Sequence, residues 1–524
     1  MLVKFILRRE RVSLIIWILC LSGLIIYMPF IYEGLYATVA ERYAAMLLMQ
    51  NPAVVAIVGP SMADASLGAL FTQEVLVVSL VSIAIMNILL VNKHTRTDEE
   101  LGRLELIRSF PVSSTSILHA VFIVVIIANV ILGGLIALGL ALGGVESITV
   151  GGSILFGAII TTAGLLFATI TAIFAQLFST AKASSSYAFM TLLVMYLVRA
   201  VGDVAENFLS YISPLGLLSR TAVFVDNLWW PIVVVLVQIF IIGGSSIYLN
   251  SNRDLGMGLI PAKLGPRKAA QSLLSLNGLA WRLQRGSMIV WLIGSFVIGL
   301  AYGAIIGVVE TYIGDNEMVQ AILATAGDSD ASMTDQFIPF LIVFLVIMLL
   351  IPLVGVILKL AGEEKRHLSE QILARAVARR SLLISYWLIS MIASVLLFAA
   401  GAFGFWLGGL TSLEDPIALR VLLSAISSYL PAAWILIGLA VLLIGWLPKF
   451  ISLATLMIGF TFFIVFFGEL LELPQFVIDL SPLTHVPNLP IEDASVATFF
   501  IMSMIAALMM IVGFIGYCKR DMNG

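Results

Sequence analysis

Apolar residues run in long blocks along this chain, without the period-two alternation of a membrane β-strand, and polar residues collect between the blocks. Each block is long enough for a helix to cross a hydrocarbon core ~30 Å thick, which takes about 20 residues. A helix satisfies its own backbone groups, so these blocks predict an all-α polytopic membrane protein. About twelve spans are expected, at 12–32, 72–92, 116–142, 150–178, 185–202, 229–250, 286–308, 337–360, 383–409, 419–446, 452–470 and 497–518. Two long segments expected on the external side, 33–71 and 309–336, follow the first and seventh spans, with helix-like stretches around 38–50 and 317–326.

Spacing repeats along the chain. Arg8, Arg11 and Trp17 recur as Arg282, Arg285 and Trp291, Glu105 and Val112 as Glu370 and Val377, and Ser213-Pro214-Leu215 as Ser481-Pro482-Leu483. The offsets are 274, 265 and 268 in the same order, which predicts duplication of a six-span unit. An even number of spans per unit makes the two repeats parallel, with a pathway expected between them. The expected division is a first half, 1–250, a cytoplasmic linker, 251–285, and a second half, 286–524. The linker is rich in Gly, Pro and basic residues, and Leu273–Arg282 reads as an amphipathic helix lying in the interface.

Composition agrees: 61% of the 524 residues are hydrophobic and 11% charged, against about 25% charged in soluble domains. Placing both termini in the cytoplasm leaves only Arg42, Arg199, Arg220 and Arg420 of the 28 Lys and Arg outside, as the positive-inside rule prefers. The net charge of −3 hides this split and gives no reason to expect nucleic acid. Neither Cys20 nor Cys518 faces an oxidising compartment, so no disulfide framework is expected. No cleavage site follows the basic start, and the first span is expected to remain as an anchor.

The most informative polar feature is a charged segment that occurs twice. The first copy is Asp98-Glu99-Glu100-Leu101-Gly102-Arg103-Leu104-Glu105-Leu106-Ile107-Arg108, and the second is Glu363-Glu364-Lys365-Arg366-His367-Leu368-Ser369-Glu370-Gln371-Ile372-Leu373. In the first, Thr97 and Glu100 have capping-box spacing, Glu99 and Arg103 are spaced for an i,i+4 pair, and Pro111 ends the helix. The expectation is a short amphipathic helix with its charges aimed at the cytoplasm. A solvated turn accounts for one such copy, but recurrence at the same place favours docking of a soluble partner. The docking candidates are Asp98, Glu99, Glu100, Gly102, Arg103 and Glu105, with Glu363, Glu364, Arg366 and Glu370 in the second copy.

Other polar groups are sparse. Arg199, Asp203 and Glu206 lie at the outer end of the fifth span, where local pairing or snorkelling accounts for the arginine. Asn87, Asn129 and Gln176 lie mid-span, where inter-helix hydrogen bonding competes with a pathway role. A pathway for an apolar cargo is expected to use Asn87, Tyr187, Tyr196, Phe460, Phe463 and Phe467, although Phe residues also pack or face lipid. No phosphate loop, His-Glu-x-x-His or Gly-x-Ser-x-Gly elbow occurs, and His94, His119, His367 and His485 are scattered. No catalytic or metal site of the chain's own is expected.

The stretch Leu7-Arg8-Arg9-Glu10-Arg11, the external Asn51-Pro52-Ala53 with Gly59-Pro60, and His94–Leu106 followed by Pro111-Val112-Ser113 resemble the permeases of ABC-2 type antibiotic exporters. More narrowly, the chain resembles the double-length, twelve-span branch of polyketide exporters, of type V fold. The second copy departs from that pattern, with His367 at the Gly102 position and Ala376 at that of Pro111. The resemblance implies a bacterial plasma-membrane permease that extrudes a hydrophobic or amphiphilic drug-like compound. It also implies a separate ATP-binding subunit, two copies per chain, that carries ATP and magnesium, so that this chain binds no cofactor. A proton-coupled carrier of the major-facilitator type also has twelve spans in two parallel halves. The long external segments and the missing Gly-x-x-x-Asp-Arg loop speak against it. A membrane scaffold or sensor coupled to an ATPase is the third reading.

Overall fold

The computed structural model describes residues 2–520 except 51, 61–63, 114, 261–267, 315–332, 375–376, 413–415, 468–473, 488 and 490–495. Its described residues contain helices and no strands, and they divide into two compact units, Met1–Gly265 and Pro266–Gly524.

The first unit contains α1 (Leu2–Leu35), α2 (Val39–Met49), α3 (Pro52–Val58), α4 (Leu67–Asn92), α5 (Arg103–Arg108), α6 (Ser116–Leu142), α7 (Val150–Leu177), α8 (Ala181–Val204) and α9 (Trp230–Ser251). The second contains α10 (Leu276–Gly314), α11 (Met333–Lys365), α12 (Leu368–Leu373), α13 (Arg379–Ser412), α14 (Leu419–Ser427), α15 (Leu430–Trp446), α16 (Ser452–Phe467) and α17 (Val496–Lys519). Eleven of the described helices, counting α14 with α15 as one, are long and apolar enough to cross a membrane. The remaining expected span, 452–470, corresponds to α16, which is shorter in the described residues.

Burial follows a similar pattern in both units. The first, second, third, fourth and sixth spans of the first unit are 22, 67, 44, 72 and 22% buried within the chain, and those of the second 22, 72, 50, 67 and 28%. The second and fourth spans thus form each core, and the first and sixth are left mostly uncovered. Apolar all round, the two inner spans have no polar face to turn outward.

Close helix packing in the second unit depends on missing side chains. A Cβ on Gly404 of α13 would strike the Phe296 carbonyl of α10, and one on Gly303 of α10 would strike that of Phe405. Small residues let two backbones approach where lipid supplies no hydrophobic drive.

One local expectation changes. Leu273–Arg282 does not form a separate interfacial helix: only Gln271–Leu274 is a short turn, and from Leu276 the chain runs unbroken into the α10 span. Gly278 alone does not interrupt it, because neighbouring Leu and Trp residues continue the apolar surface into the span. The external helix expected around 38–50 is α2, whereas that around 317–326 lies outside the described residues.

Candidate functional site

The charged segment forms an elbow in both units. In the first, α4 does not stop at Asn92 but continues through a wide turn, Lys93–Thr97, to Glu100. Gly102 then takes the left-handed conformation (φ 69°), and α5 departs in a new direction. Glycine suits this position because an L side chain at positive φ is strained.

Continuation of α4 corrects the expectation of solvent-aimed acids. Thr97 is itself helical and makes no capping bond, so the Thr97–Glu100 capping box does not form. Asp98 and Glu99 turn inward. Asp98 receives Arg9 Nη1 and Nη2 at 2.6 and 2.9 Å, and Arg103 Nη1 at 2.9 Å. Glu99 receives Arg96 Nη1 at 2.9 Å, Arg253 Nη1 and Nη2 at 3.0 and 2.9 Å, and the Gly256 N–H at 2.6 Å. The expected Glu99–Arg103 pair is therefore replaced by Glu99–Arg253 and Asp98–Arg103. Glu100 caps α8, accepting the Ala181 N–H at 2.7 Å where the helix dipole favours an acid. These acid-led contacts weld α1, α4, α8 and the tail of α9 into one corner, with Lys93 donating to Glu10 at 2.9 Å.

What the elbow offers to solvent is different. Leu101, Leu106 and Phe110 are 58, 71 and 67% exposed, with Arg103 and Glu105 beside them, while Leu104 is buried. The outward face is apolar with a charged edge.

The second elbow repeats the plan with other chemistry. At the position corresponding to Gly102, His367 is left-handed (φ 58°), and its ring nitrogen lies 2.7 Å from Glu370. Glu363 accepts the Tyr386 hydroxyl at 2.5 Å. Glu364 accepts the Tyr517 hydroxyl at 2.5 Å and pairs with Arg520, whose guanidinium lies over the Tyr517 ring. In both units, then, the second acid of the pair binds an arginine just beyond the sixth span: Arg253 in one, Arg520 in the other. Arg366 and Glu370 are exposed. Arg9, Arg253 and Arg520 were missed from sequence, although Arg253 and Arg520 stand 267 residues apart, close to the repeat offset.

The expected pathway residues are placed as follows. Asn87 is fully enclosed and pairs with Asn129 through two amide hydrogen bonds of 3.0 and 2.8 Å, at the point where α7 presents Gly164. Inter-helix bonding thus accounts for both amides, and Gln176 likewise pairs with Asn250 at 3.0 Å. Tyr187 is exposed and stacks on Phe178 at 4.2 Å, while the Tyr196 hydroxyl donates to the Ile57 carbonyl at 2.9 Å. In the second unit Phe460 is half-buried and Phe463 exposed, and the Phe467 side chain lies outside the described residues.

Arg199 does not snorkel. It is fully buried, pairs with Asp203 at 3.3 Å and donates to the carbonyls of Ala56 and Ile57 at 2.7 and 3.2 Å, so that it fastens α3 to α8. Glu74, passed over in the sequence, accepts the hydroxyls of Tyr32 and Tyr36. Its only sequence signal is that an acid stands inside an apolar block.

The profile of the "Multidrug efflux system permease Rv1217c, C-terminal domain" matches residues 273–518. The chain is 30% identical to the "Multidrug efflux system permease protein Rv1217c" of Mycobacterium tuberculosis (strain ATCC 25618 / H37Rv), over all of this chain and 95% of that protein.

Proposed function

The chain belongs to the family of the multidrug efflux permease Rv1217c, and on that premise we propose that it is the membrane-spanning permease of an ABC-2 type exporter. A separate ATP-binding subunit supplies the energy, one copy at each elbow, and a hydrophobic or amphiphilic drug-like compound is extruded. Both termini and both elbows then lie on the cytoplasmic side, as the distribution of Lys and Arg favours.

The observation that carries this reading is the elbow built twice: an inward acid pair, a left-handed residue and an outward short helix, each fastened to the arginine after the sixth span. A loop that merely connects two spans has no need of that weld. A rigid corner transmits a push from a soluble partner to the α4 and α11 cores. Contact is made by the outward residues, Leu101, Glu105, Leu106 and Phe110, with Arg366, Leu368 and Glu370 in the second copy. Asp98, Glu99, Glu363 and Glu364 act behind them as positioning residues. Tyr187, Tyr196, Phe460 and Phe463 are the side chains we assign to the cargo pathway.

Inverted membrane vesicles test the energy source. Cargo uptake is expected to require ATP and the partner subunit and to persist when an uncoupler removes the proton gradient. Uptake by this chain alone, abolished by the uncoupler, would replace the reading with a proton-coupled carrier.

A further inference from the structure

A second binding feature lies on the second unit, between the beginning of α13 and the end of α17. It is a trough of about 640 Å³, within the roughly 300–1,000 Å³ of ligand pockets. Trp387, Ile511 and Phe514 line it. The Trp387 indole N–H is already donated to Met510 Sδ at 3.1 Å, and its ring meets Phe514 edge-on at 5.9 Å, so the tryptophan presents only apolar surface. Only 28% of α17 is buried within the chain, so the trough opens toward the hydrocarbon of the bilayer.

Charge at its rim is uneven in an informative way. Four cations gather there: Arg379, Arg380, Lys519 and Arg520. Two are engaged within the fold, since Arg379 donates to the Arg520 carbonyl at 2.8 Å and Arg520 pairs with Glu364. The other two, Arg380 and Lys519, are exposed, line the trough, and have no acidic partner among the described residues. Arg380 also belongs to the first turn of α13, where the helix dipole favours an anion.

We propose that this trough binds an anionic phospholipid, its phosphate held between Arg380 and Lys519 and one acyl chain lying along Trp387, Ile511 and Phe514. A guanidinium and an ammonium recognise phosphate by paired hydrogen bonds and by point charge, respectively. A lipid with a cationic headgroup group, such as the quaternary ammonium of choline, brings its own positive charge to this rim and is disfavoured. The bound lipid bridges the ends of α13 and α17, the two helices whose Tyr386 and Tyr517 hold Glu363 and Glu364 of the second elbow. The site is independent of the cargo and of the energy source.

Native mass spectrometry of the full-length protein, equilibrated with phosphatidylglycerol or phosphatidylcholine, tests it. Phosphatidylglycerol should be retained preferentially. Arg380→Gln with Lys519→Gln should lower its retention about 25-fold, at about fivefold per basic residue. Lys365→Gln with Arg366→Gln removes the same charge nearby and should leave retention unchanged. A second readout uses Cys518, which lines the trough and is the only thiol once Cys20→Ser is made. Maleimide should label it more slowly in vesicles of phosphatidylglycerol than of phosphatidylcholine. Equal retention of the two lipids, equal loss in the two double variants, or equal labelling in the two vesicles would overturn the proposal.

Discussion

Arg253→Ala separates a structural weld from a surface contact. Arg253 donates two hydrogen bonds to Glu99, at 3.0 and 2.9 Å, and a third to the Met257 carbonyl at 2.7 Å. The two side chains are only 7 and 3% exposed, so solvent screens them little. Removing one partner of a buried pair costs about 3–5 kcal/mol, because the other charge stays behind. Arg96 and the Gly256 N–H continue to hold Glu99, which places the expected loss near the lower end, about 3 kcal/mol. At roughly 2–4 °C per kcal/mol for a unit of some 150–250 residues, Tm should fall by about 6–12 °C in a thermal unfolding assay on purified protein. Combining the change with Glu99→Gln should cost little more than Arg253→Ala alone, since the two act on one interaction. A Tm within about 2 °C of wild type, together with lost capture of the ATPase, would refute the weld and return Glu99 to the docking face.

The remaining expectations concern the outward face, the helix packing and the buried amides. Leu106→Asp with Phe110→Ser should weaken capture of the ATP-binding subunit about tenfold or more without moving Tm, as interface truncations do; unchanged capture in a pull-down would remove these residues from the contact. Gly404→Leu should drive α10 from α13 and cost about 1–3 kcal/mol as overpacking does, read as a fall in Tm; an unaltered Tm would contradict the close approach. Asn87→Ala should cost about 1–2 kcal/mol, with Asn129→Ala added to it costing little further; additive losses would show that the amides act separately. Tyr196→Ala or Phe463→Ala should alter which compounds are exported more than basal ATP hydrolysis by the complex, and an unaltered export profile would remove both from the pathway.

Local pattern along the chain is enough for the spans. Block length and lack of alternation specify apolar helices, because the bilayer demands about 20 residues and an internally satisfied backbone. Repeat spacing placed His367 opposite Gly102, and both are left-handed, but it predicted one short helix through each segment and not the break at that residue. Direction was beyond it. Whether Asp98 and Glu99 face water or protein depends on Arg9 and Arg253, 89 and 154 residues away in the chain. A capping box and a salt bridge of helical spacing are local alternatives, and they lose to bidentate guanidinium contacts that exist only once α1 and the tail of α9 meet α4. The same holds for Arg199, which spacing assigns to Asp203 alone but which α3 takes up through two carbonyls. Long-range packing decides such cases because a buried charge must be paired wherever a partner arrives, whereas at the surface water makes either orientation nearly equal.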